Sequence, residues 1–158
     1  MATFQLMLLG LWVTMFLVIA ATPPGLTEAK WFEVQHMRKS KISTTNDDKY
    51  CTDEMKLINS HISHCKNFNT FLYSSDQNKI NEVCFTPKIM CKNSEKNCHK
   101  SSSKISITKC MFISGSNPNC LYHGTSEMAY FVIACEPTSS KESKSKLLPI
   151  HLETTIKD

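Results

Sequence analysis

Not one lysine, arginine, aspartate or glutamate occurs before Glu28 in this chain of 158 residues. Phe4 to Ala21 is almost wholly apolar and ends in the small residues Ala20 and Ala21, the pattern of a signal-peptide core and cleavage site. Residues 1–22 are therefore read as a leader, cut between Ala20 and Gly25, and residues 23–158 as one secreted, extracellular domain. The basic residue that usually precedes such a run is also missing. With a length of about 18 residues the run also suits a membrane-spanning helix, so a signal anchor is the minor reading.

Arginine is nearly absent too, Arg38 being the sole one, and Lys plus Arg exceed Asp plus Glu by only 18 to 14, a net charge of +4. That balance favours polyanions weakly. It is thin for a protein that attacks membranes by charge. No Asn-x-Ser/Thr acceptor exists, so N-linked glycosylation is not expected. No internal repeat is found, which excludes solenoid and propeller architectures.

Cysteine, by contrast, is plentiful. Eight of them in about 135 residues, an even number, fit an oxidising compartment and support secretion. Such a chain should bury roughly two-thirds of the surface its unfolded form exposes. Four disulfides would each add about 2–4 kcal/mol, so the core can be modest.

Glu28 to Met37 predicts a helix with Phe32, Gln35 and His36 on one face. After a polar loop, Thr52, Asp53 and Glu54 read as N-cap and acidic first turn of a second helix through Leu57 and Ile58. Ser75 and Asp76 open a third, ending near Cys84. Period-two alternation at Ile105 and Ile107, and the apolar run Tyr130 to Cys135, read as strands. Asn117-Pro118-Asn119 marks a turn, and Thr138 to Lys146 is a polar tract without periodicity. Helices early and strands late indicate an α+β domain, three helices against an antiparallel sheet.

The segment Cys65-Lys66-Asn67-Phe68-Asn69-Thr70-Phe71 is similar to the CKxxNTF signature of the pancreatic ribonuclease (ribonuclease A) superfamily, and the order and spacing of the eight cysteines resemble that family's. Its two histidine contexts are present as Phe32-Glu33-Val34-Gln35-His36 and Pro149-Ile150-His151-Leu152. Trp31-Phe32 and the stretch from Thr86-Pro87-Lys88-Ile89 to Cys98-His99 look most like the small secreted leukocyte and epithelial members, several of which are linked to host defence.

The resemblance implies a ribonuclease A-like fold with a curved sheet and the pairing Cys51–Cys110, Cys65–Cys120, Cys84–Cys135 and Cys91–Cys98. It implies a metal-independent endoribonuclease acting on single-stranded RNA 3′ to pyrimidines, with no cofactor, as a monomer. His36 is then the base, His151 the acid and Lys66 the cation at the phosphate. Gln35, Asn69, Thr70, Lys92, Asn97, Leu152 and Glu153 complete the substrate site. Imidazole suits both proton tasks, since its ordinary pKa of about 6.5 leaves either form available near neutrality. A fixed cation stabilises the charge that grows on the phosphate oxygens in the transition state. Anionic microbial surfaces and a cytosolic ribonuclease inhibitor are further partners the resemblance allows. A cationic antimicrobial protein and a relative with little activity are the alternative functions.

Several residues depart from the family pattern. Leu152 and Glu153 replace Phe and Asp after His151, and the longer Glu predicts a slightly displaced ring and a slower enzyme. Trp31, Val34 and Met111 stand where pancreatic members carry cations for flanking phosphates, which predicts weaker binding of long RNA. Glu95 replaces a Gln of the second base site. The last hairpin is longer, with Lys141, Lys144 and Lys146 in it. His61, His64, His99 and His123 match no catalytic position and are read as surface or turn residues. A zinc site at Cys91, Cys98 and His99 is disfavoured because paired sulfurs do not ligate metal.

Overall fold

The computed structural model describes residues 22–41, 46–138 and 146–158. All of the expected leader but Thr22, and most of the polar tract after Thr138, lie outside them. No helix among the described residues is long and apolar enough to cross a membrane.

Helix α1 spans Glu28–His36, and the Thr27 side chain caps it by accepting the Lys30 N–H at 3.1 Å. Trp31, Phe32 and His36 turn inward. Helix α2 spans Asp47–Ile62 and starts earlier than expected: Asn46 is its N-cap, accepting the Lys49 N–H at 2.8 Å, and Asp47 and Asp48 supply the acidic first turn. Thr52 is therefore mid-helix, with its hydroxyl accepting the Tyr122 N–H at 3.1 Å. The Asn-Asp-Asp run is the stronger start signal, since it places the cap and two carboxylates against the unpaired N–H groups. Helix α3 is a single turn, Asn78–Asn81, continued by a 3₁₀ turn over Glu82–Phe85.

Six strands form the sheet: β1 Met37–Arg38, β2 Phe68–Tyr73, β3 Cys98–Lys100, β4 Ile105–Ser116, β5 Asn119–Pro137 and β6 Leu147–Ile156. Their order is β1-β2-β4-β5-β3, with β6 also paired to β5. The sheet is mixed, because β1 runs parallel to β2. Strand β2, lying between α2 and α3, escapes a period-two reading because five of its six residues are buried. Strand β5 pairs with β4 as far as Ala129 and with β6 from Tyr130 onward.

One core gathers Phe32, Leu72, Ile107, Phe131 and Ile133, and a second, under α2, gathers Trp31, Met55, Ile58, Phe71 and Tyr122. Disulfides join Cys51 to Cys110, Cys65 to Cys120, Cys84 to Cys135 and Cys91 to Cys98. His99, expected at the surface, is 2 % exposed in β3. Its partner Ile133 lies in the core, and its ring Nδ1–H donates to the Thr86 carbonyl at 2.7 Å. A buried imidazole needs such a partner.

Candidate functional site

The last turn of α1 meets β2 and brings Gln35, His36, Lys66, Asn69 and Thr70 together. The Asn69 side-chain amide donates to the Gln35 carbonyl at 2.8 Å, fixing the helix end to the strand. Nδ1 of His36 lies 2.8 Å from the Thr70 carbonyl oxygen. A carbonyl only accepts, so Nδ1 carries the proton and the neutral ring keeps its lone pair on Nε2. Phe32 packs against this ring with centroids 5.0 Å apart.

The Lys66 ammonium donates to Gln35 Oε1 at 2.7 Å and to Asn69 Oδ1 at 2.8 Å, and both partners are neutral amides. It thus keeps its charge uncompensated. Burial pushes its pKa down to about 8. Burial, first, and then the like charges of Lys66 and His151 push His36 down to about 3, against the opposing pull of the Thr70 carbonyl. Lys66 and His151 are thus both near enough to act on the His36 ring through space.

His151 lies in β6 opposite Ala134 of β5, and its side chain is 62 % exposed. Its Nε2 lies 3.3 Å from Glu153 Oε2. The other oxygen, Oε1, accepts the Lys92 backbone N–H at 3.0 Å. Glu153 therefore spans from the histidine to the loop carrying Lys92. Leu152, on the other face of β6, packs against the first core. Asn97 anchors that loop to β5 by accepting the Cys135 N–H on its carbonyl at 3.0 Å. Cys91, Cys98 and Glu153 come close to one another. The two sulfurs form a disulfide and offer no thiolate to a metal.

Sequence reasoning misses three residues here. Asn59 of α2 accepts the Lys66 N–H at 2.9 Å and donates to the Tyr122 hydroxyl oxygen at 3.0 Å. Tyr122 of β5 in turn donates to the Lys66 carbonyl at 2.6 Å. Both are 1 % exposed. The only signal in the sequence is a polar residue on an otherwise apolar helix face. Lys109 is the third: it stands cross-strand from Thr70, and its ammonium lies 2.6 Å from Glu127 Oε1.

Four disulfides on a small α+β scaffold, with two histidines and a lysine set around one sheet, are the frame against which known proteins compare. The pancreatic ribonuclease family model matches residues 27–153. Ribonuclease 7 of Homo sapiens is 40 % identical over 152 residues, covering 96 % of this chain and 92 % of that protein. Ribonuclease K6 of Bos taurus is 36 % identical over 155 residues, 98 % and 95 % of the two chains. Ribonuclease K3 of Sus scrofa is 36 % identical over 151 residues, 96 % and 93 %. The chain belongs to the pancreatic ribonuclease family.

Proposed function

We propose that the protein is a secreted endoribonuclease that cuts single-stranded RNA 3′ to pyrimidines, by transphosphorylation through a 2′,3′-cyclic phosphate. The observation that carries this reading is the His36–Thr70 hydrogen bond, which leaves Nε2 of a neutral ring as a base beside a half-buried, unneutralised Lys66.

His36 Nε2 takes the proton of the ribose 2′-hydroxyl, and the freed oxygen attacks its own phosphorus. The bond from phosphorus to the 5′-oxygen breaks, and His151 supplies that oxygen with a proton. Lys66 faces the charge gathering on the non-bridging oxygens. Water then opens the cyclic phosphate with the two histidines in exchanged roles. Every proton has a carrier and the charge a cation, so the chemistry calls on no metal. Gln35 holds a phosphate oxygen and Thr70 reads the pyrimidine edge, while Leu152, expected in the substrate site, turns instead to the core and supports the strand that carries His151. Lys92 and Asn97 serve flanking groups.

A membrane-directed cationic role has less support. The sole arginine, Arg38, donates to Glu54 at 3.1 Å and to the Val34 carbonyl at 2.9 Å and lies over the Phe71 ring, so it adds no free charge to the surface. Refolded protein incubated with single-stranded RNA should give 2′,3′-cyclic phosphate ends after C and U, and His151→Ala should give none. Equal rates from both would end the proposal. For the leader, N-terminal sequencing of the exported protein should begin between Ala21 and Gly25.

A further inference from the structure

On the face of the sheet that carries Thr70, the neighbours two residues along on one side are apolar and open, whereas those on the other side, Leu72 and Ile107, are buried in the first core. Side chains alternate across a sheet, so Thr70 with its cross-strand partner Lys109, and Phe68 with its partner Met111, share one face. On the other face Asn69 and Phe71 are buried, the latter under α2. Phe68 is 46 % exposed and Met111 57 %, and the exposed apolar surface continues through Ile113 and Leu121 along the β4–β5 hairpin. Isolated exposed apolar residues need no explanation, but a contiguous strip beside a binding residue marks a contact surface.

We propose that Phe68 and Met111 form a stacking platform for the nucleobase on the 5′ side of the one held at Thr70. This rests on the ribonuclease reading above. Two residues along a strand span about 6.8 Å, within reach of the next base of an extended RNA strand. The 3′ side of the Thr70-bound nucleotide is taken by the phosphate and its two proton carriers, so the strand crossing the open sheet face is the 5′ one. An exposed aromatic ring is the group that holds unpaired bases regardless of sequence. The soft, unbranched Met111 fills the space around whichever base is present. Stacking replaces the cation that would otherwise hold the flanking phosphate, so the contact depends little on salt.

The experiment compares kcat/KM for cytidylyl-adenosine, for the same dinucleotide extended by a 5′ adenosine nucleotide, and for the extension with that base removed. It is run on the parent, Phe68→Ala and Phe68→Trp, at low and physiological salt. In the parent the added base should raise kcat/KM about 5- to 150-fold, the range of single base–aromatic contacts. The gain should vanish with the abasic extension and in Phe68→Ala, persist in Phe68→Trp, and change little with salt. A parent gain that survives in Phe68→Ala or with the abasic extension overturns the platform while leaving the ribonuclease reading intact. So does a Phe68→Ala variant that keeps the gain but loses binding to anionic lipid vesicles, which would make the strip a membrane surface. A parent that cleaves none of the three substrates ends both readings.

Discussion

The Tyr122 hydroxyl donates to the Lys66 carbonyl oxygen at 2.6 Å, joining residues 56 positions apart, while Asn59 holds the Lys66 N–H and the Tyr122 oxygen together. The cation is thus aimed by its backbone as well as by Gln35 and Asn69. Tyr122→Phe removes one donor and leaves the Asn59 amide without its buried acceptor, a loss of about 1–3 kcal/mol. Urea titration should show that loss, and kcat should fall more than KM rises. An unchanged kcat at a lowered stability would mean that the tyrosine supports the fold alone.

The pH dependence of turnover follows from the opposite protonation states that the two histidines must hold. The reaction needs His36 neutral and His151 protonated, so a bell-shaped profile is expected. Burial and neighbouring cations hold His36 far below the ordinary imidazole value, so the acid limb should lie below pH 6.5. His36→Ala or His151→Ala should flatten the bell and cost several orders of magnitude. Lys66→Ala should lower the rate and keep the bell, since it removes charge and not a proton carrier. Initial rates on cytidylyl-adenosine across pH 4–9 test all three.

Stability carries its own trace of His36. Its folded pKa is depressed, so between that value and the unfolded one near 6.5 the unfolded chain binds more protons. The associated stability is whole above pH 6.5 and drains away as pH falls towards about 3, at no more than about 1.4 kcal/mol per pH unit. His36→Asn, whose amide can still reach the Thr70 carbonyl, should lose less stability than the parent between pH 7 and 4.5. Parallel slopes in urea midpoints would contradict this.

Glu153 holds two things at once, the His151 ring and the Lys92 amide. Glu153→Ala should reduce kcat by less than deleting His151, whose loss as a general acid is expected to cost about 10²- to 10⁴-fold. Glu153→Asp discriminates further: a faster variant means the longer side chain holds the ring off its best position, and a slower one means the fold has adapted to Glu.

Gly124 is a packing requirement. A Cβ there would run into the Asp47 carbonyl, and the Gly124 N–H donates to Asp48 Oδ1 at 2.9 Å. Gly124→Ala must push the start of α2 off β5, so a destabilisation of about 1–3 kcal/mol is expected for overpacking. A midpoint shift smaller than about 0.5 kcal/mol, the scatter of ordinary surface changes, would show that the helix start can yield.

The fold class was readable where local chemistry repeats: the helix from Glu28, the alternation at Ile105 and Ile107, the turn at Asn117-Pro118. It was unreadable where tertiary burial overrides pattern. Strand β2 is nearly all buried and shows no alternation, and His99 is drawn inside by its pairing with Ile133. The site followed the same division. His36, Lys66 and His151 came from motif resemblance, while Asn59 and Tyr122, far apart in sequence and joined only through Lys66, carry no local signal.

Strand β5 sets a mechanical relation between the two halves of the site. Tyr122, under Lys66, and Ala134, beside His151, sit on this one continuous strand, which changes partner from β4 to β6 at Ala129 and Tyr130. It serves as the ruler between cation and acid. A change of twist at the changeover would alter their separation with every contact of either residue intact, so damage there would surface as lost alignment in a molecule that still folds and still binds.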